Sequence, residues 1–284
     1  MAYDSVNDRL WVTVPDDGSA NANQLVAINP ATGAVTSAYS VGVKPDLVAV
    51  TTDGLFAYVS VPADGTVRRI DLSSGTTVGT FTAGGGLIDL KAIPSSDTSY
   101  VVITDPTGGV NMSVWDDGIR RTGTGAGGYA INFSNDPTII YGDGHGSLFT
   151  NVVTSTSISF THQVDTNVAY FAYSKTDSMI YSSSGTVYDP TTGLATSSFS
   201  TAHINSDRGL ALSDADDRFY VVTWNFGDKH IVTFDRGTKA ELLDYNTGIA
   251  RGGATNLTAC GNKTVAFNIY GDGARTVVLV SNLP

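Results

Sequence analysis

One cysteine, one glutamate, scattered histidines and no long apolar run narrow the reading of this 284-residue chain before any motif does. Cys260 stands alone, so no internal disulfide framework is available and the thiol reads as a small buried apolar group. No stretch is long and apolar enough for a transmembrane helix, and none reads as a signal peptide, so any export signal is expected outside this chain. With Glu241 the only glutamate and lysine sparse, helix-favouring residues are scarce where Gly, Thr, Ser and Asp are plentiful. Basic residues number 16 against 27 acidic ones, and the net charge of −11 disfavours nucleic acid or an anionic membrane as partner. His145, His162, His203 and His230 lack a zinc spacing. Ser213–Asp217 and the Asp16–Asp17 pair lack the full spacing of a calcium loop, and no serine sits in a nucleophile elbow. No metal and no cofactor is therefore expected.

What the chain does have is a repeat. Leu47 to Ala83 reads as four short strands joined by tight turns: the apolar run Leu47–Val50, the turn Thr52–Asp53–Gly54, the strand Phe56–Val61, the turn Ala63–Asp64–Gly65, the strand Thr66–Leu72, the hairpin Asp71–Gly75 and the outer strand Thr76–Ala83. Related copies begin near residues 1, 47, 89, 130, 170, 209 and 256. A period of about 40 residues is that of one propeller blade, whose small sheet cannot bury its faces alone. The expectation is an all-β, single-domain, seven-bladed β-propeller of four-stranded antiparallel blades. The last copy stops after its third strand, so its outer strand is expected to be missing, as in a domain taken from a longer protein.

The residues Thr52, Asp53, Gly54, then Ala57–Ser60, then Val67–Asp71 with the Ser74–Gly75 turn resemble the YVTN family of β-propellers, a group with periplasmic and surface-layer members. The parallel turns at Thr32–Gly33 and Thr192–Gly193 carry the same likeness. The tetrad naming the family is altered here to Tyr58–Val61 and Tyr220–Thr223. The resemblance implies a seven-bladed extracellular or envelope module; it brings no catalytic residues, and a shared fold is a weak guide to function.

In a propeller, the loops leading into the innermost strands and those joining second to third strands emerge on one face, the default binding surface. The stretch Trp224–Lys229 puts a Trp beside Asn225 and Asp228, equipment for stacking on a sugar ring and bonding its hydroxyls, although Trp224 is equally open to packing between blades. Gly142–Gly146 offers Asp143 and His145, and Tyr270 opens another loop of this set. Lys44, Tyr129, Asp207, Arg208 and Arg251 fall in the loops before innermost strands. These residues are the expected contacts of a non-catalytic module that binds a glycan or a protein surface and is expected to be a monomeric domain of a larger extracellular, cell-surface or periplasmic protein. Two rivals stand beside it. One is a lyase acting on a polysaccharide or cyclic ester at the channel mouth with His145, Tyr129, Tyr270 and Arg251; the other is a structural unit of an adhesin or surface layer.

Overall fold

The computed structural model describes residues 1–16, 20–83, 86–105, 111–144, 146–166, 170–200, 209–225, 228–250, 253–271 and 274–284, with 224, 225, 270, 271, 274 and 275 described by backbone alone. Every regular element among them is a strand, as the scarcity of helix formers requires. Seven antiparallel sheets succeed one another along the chain, their first strands starting at Ala2, Val48, Leu87, Ile131, Phe171, Gly209 and Gly253. These positions lie within three residues of the copies read from the repeat. The fold is a seven-bladed β-propeller, and the seventh sheet has three strands, ending at Val280.

By packing, the chain divides into two compact units, Met1–Gly144 with Phe149–Gln163, and His145–Leu148 with Val164–Pro284. In the first unit, sheet two follows the expected pattern closely: Val48–Val50, Phe56–Val61, Thr66–Asp71 and Thr77–Thr82 pair in sequence order. Residues with even and odd offsets along its second strand point to opposite faces. Ala57 and Val59 join Trp11 and Leu25 of sheet one, whereas Tyr58 joins Leu90, Tyr100 and Val102 of sheet three. Sheet two thus buries both faces against its sequence neighbours. In the second unit, Tyr181 and Val187 of sheet five meet Phe219, Val221 and Phe234 of sheet six in the same way, with Phe199 between them.

The recurrent turn between first and second strands uses left-handed residues: Asp8 (φ 51°), Gly54 (71°), Ser178 (60°), Asp217 (54°) and Asn262 (47°). Asp and Asn tolerate this conformation better than other side chains, which explains why the repeat places them there.

Sheet three departs from the four-strand pattern. Its outer strand is split into Ile119–Arg120 and Gly125–Ala126, both paired with Asn111–Asp116. Between them the chain swings out to exchange backbone bonds with the next sheet, Thr122 N–H to Thr156 O and Ile158 N–H to Thr122 O, both 2.9 Å. Gly123 makes this detour feasible: it has φ 80°, and a Cβ there would lie 2.2 Å from the Ile158 carbonyl oxygen.

Candidate functional site

Of the candidate residues expected in loops between second and third strands, those described prove to be strand residues. In sheet six the paired strands Arg218–Asn225 and Asp228–Asp235 are eight residues each, and their ladder runs out to Trp224↔Lys229 and Asn225↔Asp228. In sheet seven the ladder continues through Tyr270↔Arg275 to Gly271↔Ala274. Sheet two stops earlier, at Val61↔Thr66, in six-residue strands. Measured from the start of the second strand, the hairpin of sheet six extends two residues farther than that of sheet two, and that of sheet seven one residue farther. Trp224, Asn225, Asp228 and Tyr270 are therefore corrected from loop residues to ladder residues.

Asp143 is also corrected. It lies in the strand Ile139–Gly144, is 1% exposed, and accepts backbone N–H bonds from Tyr129 (2.5 Å) and Ala130 (2.8 Å). Its carboxylate thereby holds the segment that leads into the fourth sheet. Asp89 does similar work one sheet earlier, accepting from the Ile131 amide at 2.8 Å. Tyr129 is 38% exposed and Lys44 is exposed, with the Lys44 amide donating to Asn23 Oδ1 at 2.8 Å. Asp228 accepts from Asn246 Nδ2 at 3.1 Å, which ties the end of the sheet-six hairpin to the neighbouring outer strand. His145, Asp207, Arg208 and Arg251 lie outside the described residues. No group of three His, Cys, Asp or Glu side chains converges to hold a metal among the described residues. Lys229, opposite Trp224, is 1% exposed, a burial that the polar sequence around it did not suggest.

At the opposite, turn-bearing ends of the sheets, arginines clasp aspartates. In the second unit Arg236, whose side chain is 3% exposed, donates to Asp217 Oδ1 (3.0 Å), Ser174 Oγ (2.8 Å) and Asp214, and lies over the Tyr181 ring. Burial alone would raise the Asp214 pKa, but the hydrogen bond and charge of Arg236 together outweigh it and hold the carboxyl below its ordinary value. In the first unit Arg69 donates to Asp97 O (3.1 Å) and Asp117 Oδ1 (2.6 Å) and covers Phe56 at 5.4 Å. Arg121 grips Asp116 through two bonds of 2.7 Å. These are structural clasps between successive turns.

One such place lacks its arginine. Ladder pairing aligns the row Ala2–Trp11–Ala27–Ser37 across sheet one with Ala49–Tyr58–Arg69–Gly79 across sheet two. Where sheet two sends Arg69 toward sheet three, sheet one has Ala27, and a cavity of about 330 Å³ opens between sheets one and two. Arg9, Trp11, Phe56 and Asp71 line it. Attention to the loop-rich face alone overlooks it; the signal that finds it is a small residue at the Arg69 position of an aligned repeat.

No model of a known family matches the chain. No curated protein matches it in sequence either. Among solved structures, the chain is similar to the β-propeller domain of Cps50 (Swd1) from Myceliophteria thermophila, with 11% identity over 99% of this chain and 96% of that one, at a TM-score of 0.75. It is also similar to hydrazine synthase of Kuenenia stuttgartiensis, with 14% identity over 98% and 94% of the two chains and a TM-score of 0.67. At such identities the likeness establishes the fold alone.

Proposed function

We propose that this propeller is a non-catalytic recognition module of an extracellular or envelope protein, and that it binds a glycan across the overhanging hairpins of sheets six and seven. The observation that supports this reading is the ladder itself: it carries Trp224, Asn225 and Asp228 beyond the length at which the hairpin of sheet two stops, with Tyr270 in the sheet-seven ladder beside them. The innermost strands of these two sheets are neighbours within the second unit, so their hairpins rise from one packed base. In the ladder Trp224 directly precedes Asn225, which pairs with Asp228, so the tip combines a residue type suited to sugar stacking with two suited to bonding hydroxyls. The envelope setting is inferred from the YVTN-like turns and the acidic composition.

The double variant Trp224→Ala, Asp228→Ala tests the reading on a glycan array. Loss of the glycans retained by the parent protein supports it. An unchanged array profile, or a parent protein that retains no glycan, removes it.

A further inference from the structure

We infer that the open edge of sheet seven is a docking site for an extended segment of a partner polypeptide, which adds there as the antiparallel fourth strand that the other sheets already contain. The site is the edge of the strand Ala274–Val280, not the hairpin tips, and is independent of the glycan reading.

The other six sheets cover their third strand with a fourth, split in two in sheet three. In sheet seven the third strand is Ala274–Val280, and its single neighbour among the described residues is Val265–Gly271. Residues of an antiparallel strand turn their N–H and C=O alternately to one side and the other, so every second residue of Ala274–Val280 presents these groups to the open edge. Covered third strands bury their apolar residues: Leu25, Val67, Met112, Ile231 and Val232 are each 0% exposed, whereas Val277, Val278 and Leu279 are partly exposed. Thr276–Val280 carries no charge and no proline, the devices by which exposed edge strands resist pairing. Its sequence is that of an interior strand.

The residues that follow do not return to cover it. In sheets one, two, five and six a hairpin closed by Gly33 N–H to Asn29 O, Gly75 to Asp71, Gly193 to Asp189 and Lys239 to Asp235 turns the chain into the outer strand. After Val280, Leu283 instead donates its N–H to the Lys263 carbonyl at 3.1 Å, and the Pro284 carbonyl accepts from Arg218 Nε at 2.9 Å. The chemistry of the occupant is shown by the sheets that are complete. Val35–Ser40 and Thr77–Thr82 are six-residue strands rich in Thr and Ser, without proline, whose Tyr39 and Phe81 stack on Trp11 and Tyr100. A partner segment of that kind gains a backbone ladder along the edge and covers Val277, Val278 and Leu279. A second copy of this chain is a poorer match. Its own open strand would bring the apolar run Val277–Val280, whereas the outer strands of sheets one, two, four, five and six have at most two apolar residues in succession.

The probe is a synthetic peptide with the sequence Thr76–Ala83, the outer strand of sheet two with its flanking residues, titrated into the full chain by fluorescence anisotropy. Saturable 1:1 binding is expected. Two versions of the peptide, N-methylated on alternate amides, separate strand addition from other modes: one should bind about tenfold or more weakly, having lost its bonds to the edge, and the other about as well as the unmodified peptide. Residue-resolved hydrogen exchange is expected to show alternate amides of Thr276–Val280 open in the protein alone and protected in the complex. The proposal is overturned if the peptide does not bind, if both methylated versions bind alike, or if protection falls on another edge such as Ile158–Asp165. It is also overturned if those amides are already protected in the protein alone, a dimer by sedimentation then identifying the occupant as a second copy.

Discussion

The gap between sheets one and two and the gap between sheets two and three are built on the same backbone and are filled differently. In the second gap Arg69 reaches across to Asp97 and Asp117, Tyr58 donates its hydroxyl to the Asp97 carbonyl at 2.7 Å, and Phe81 packs in a stack with Tyr100. Phe81 folds back over Gly79, where a Cβ would stand 2.5 Å from the ring. In the first gap the matching residues are Ala27, Trp11, Tyr39 and Ser37. Ser37 has the Cβ that Gly79 lacks, and Tyr39 stacks on Trp11 and bonds the Leu72 carbonyl at 3.0 Å. All four fillers differ between the gaps, and where the second has Arg69 the first has Ala27 beside a cavity. Repeat proteins can therefore place a site at any seam by changing its fillers, with the strand ladder untouched.

The glycines of the outer hairpins are the part both gaps share, and they should give the largest effects. Tyr39 packs on Gly75 (φ 74°) and Phe81 on Gly118 (φ 82°), where a Cβ would lie 2.3 Å and 2.6 Å from the respective rings. Gly75→Ala and Gly118→Ala are each expected to cost about 3 kcal/mol, combining left-handed backbone cost with overpacking. Gly65→Ala is the control: φ is 64°, but nothing lies within 4 Å of the added carbon, so only about 1–2 kcal/mol is expected. Urea unfolding of the three variants measures this. Equal losses at all three would mean that the outer aromatic does not bear on the neighbouring turn.

Arg69→Ala comes next, because it turns the second gap into a copy of the first. The loss of its bonds to Asp97 and Asp117 and of its cover over Phe56 is expected to lower stability by about 2 kcal/mol. Because the Arg69 side chain is 16% exposed and that of Asp117 51% exposed, part of this should vanish in high salt. A change within about 0.5 kcal/mol, the range of an ordinary surface substitution, would show that Arg69 is not what closes the seam.

The blade count, the order of the strands and the bounds of Phe56–Val61 were legible in the sequence because the turn Asp-Gly and the apolar strands recur at one period. The detour at Arg121–Gly123 was not, since it depends on the carbonyl of Ile158 in the next sheet. Trp224, Asn225 and Asp228 read as loop because their polarity resembles that of turns, whereas a hairpin overhanging its sheet is held by backbone bonds that polarity does not reveal. Asp143 read as a loop residue for a related reason: composition does not say whether an aspartate faces solvent or backbone amides. The cavity escaped notice because it is defined by a missing side chain at Ala27, and absence registers only when repeats are aligned by ladder pairing.

The smallest expected effect separates the two gaps by how each holds its carboxylate. Asp117 is held by Arg69, whereas Asp71 is held by local donors: the Ser73 hydroxyl first, then the Ser74 and Ser73 amides, which keep its pKa below the ordinary value. A carboxyl whose folded pKa is depressed contributes stability that is complete above its unfolded pKa, about 3.9, and that is lost as pH falls through the folded value. The stability difference between the parent and Asp71→Asn should accordingly be constant from neutrality down to about pH 5 and shrink below about pH 4. Urea unfolding at stepped pH reads this directly. A difference that persists undiminished to pH 2 would mean that the Ser73–Ser74 turn does not depend on the ionised carboxylate.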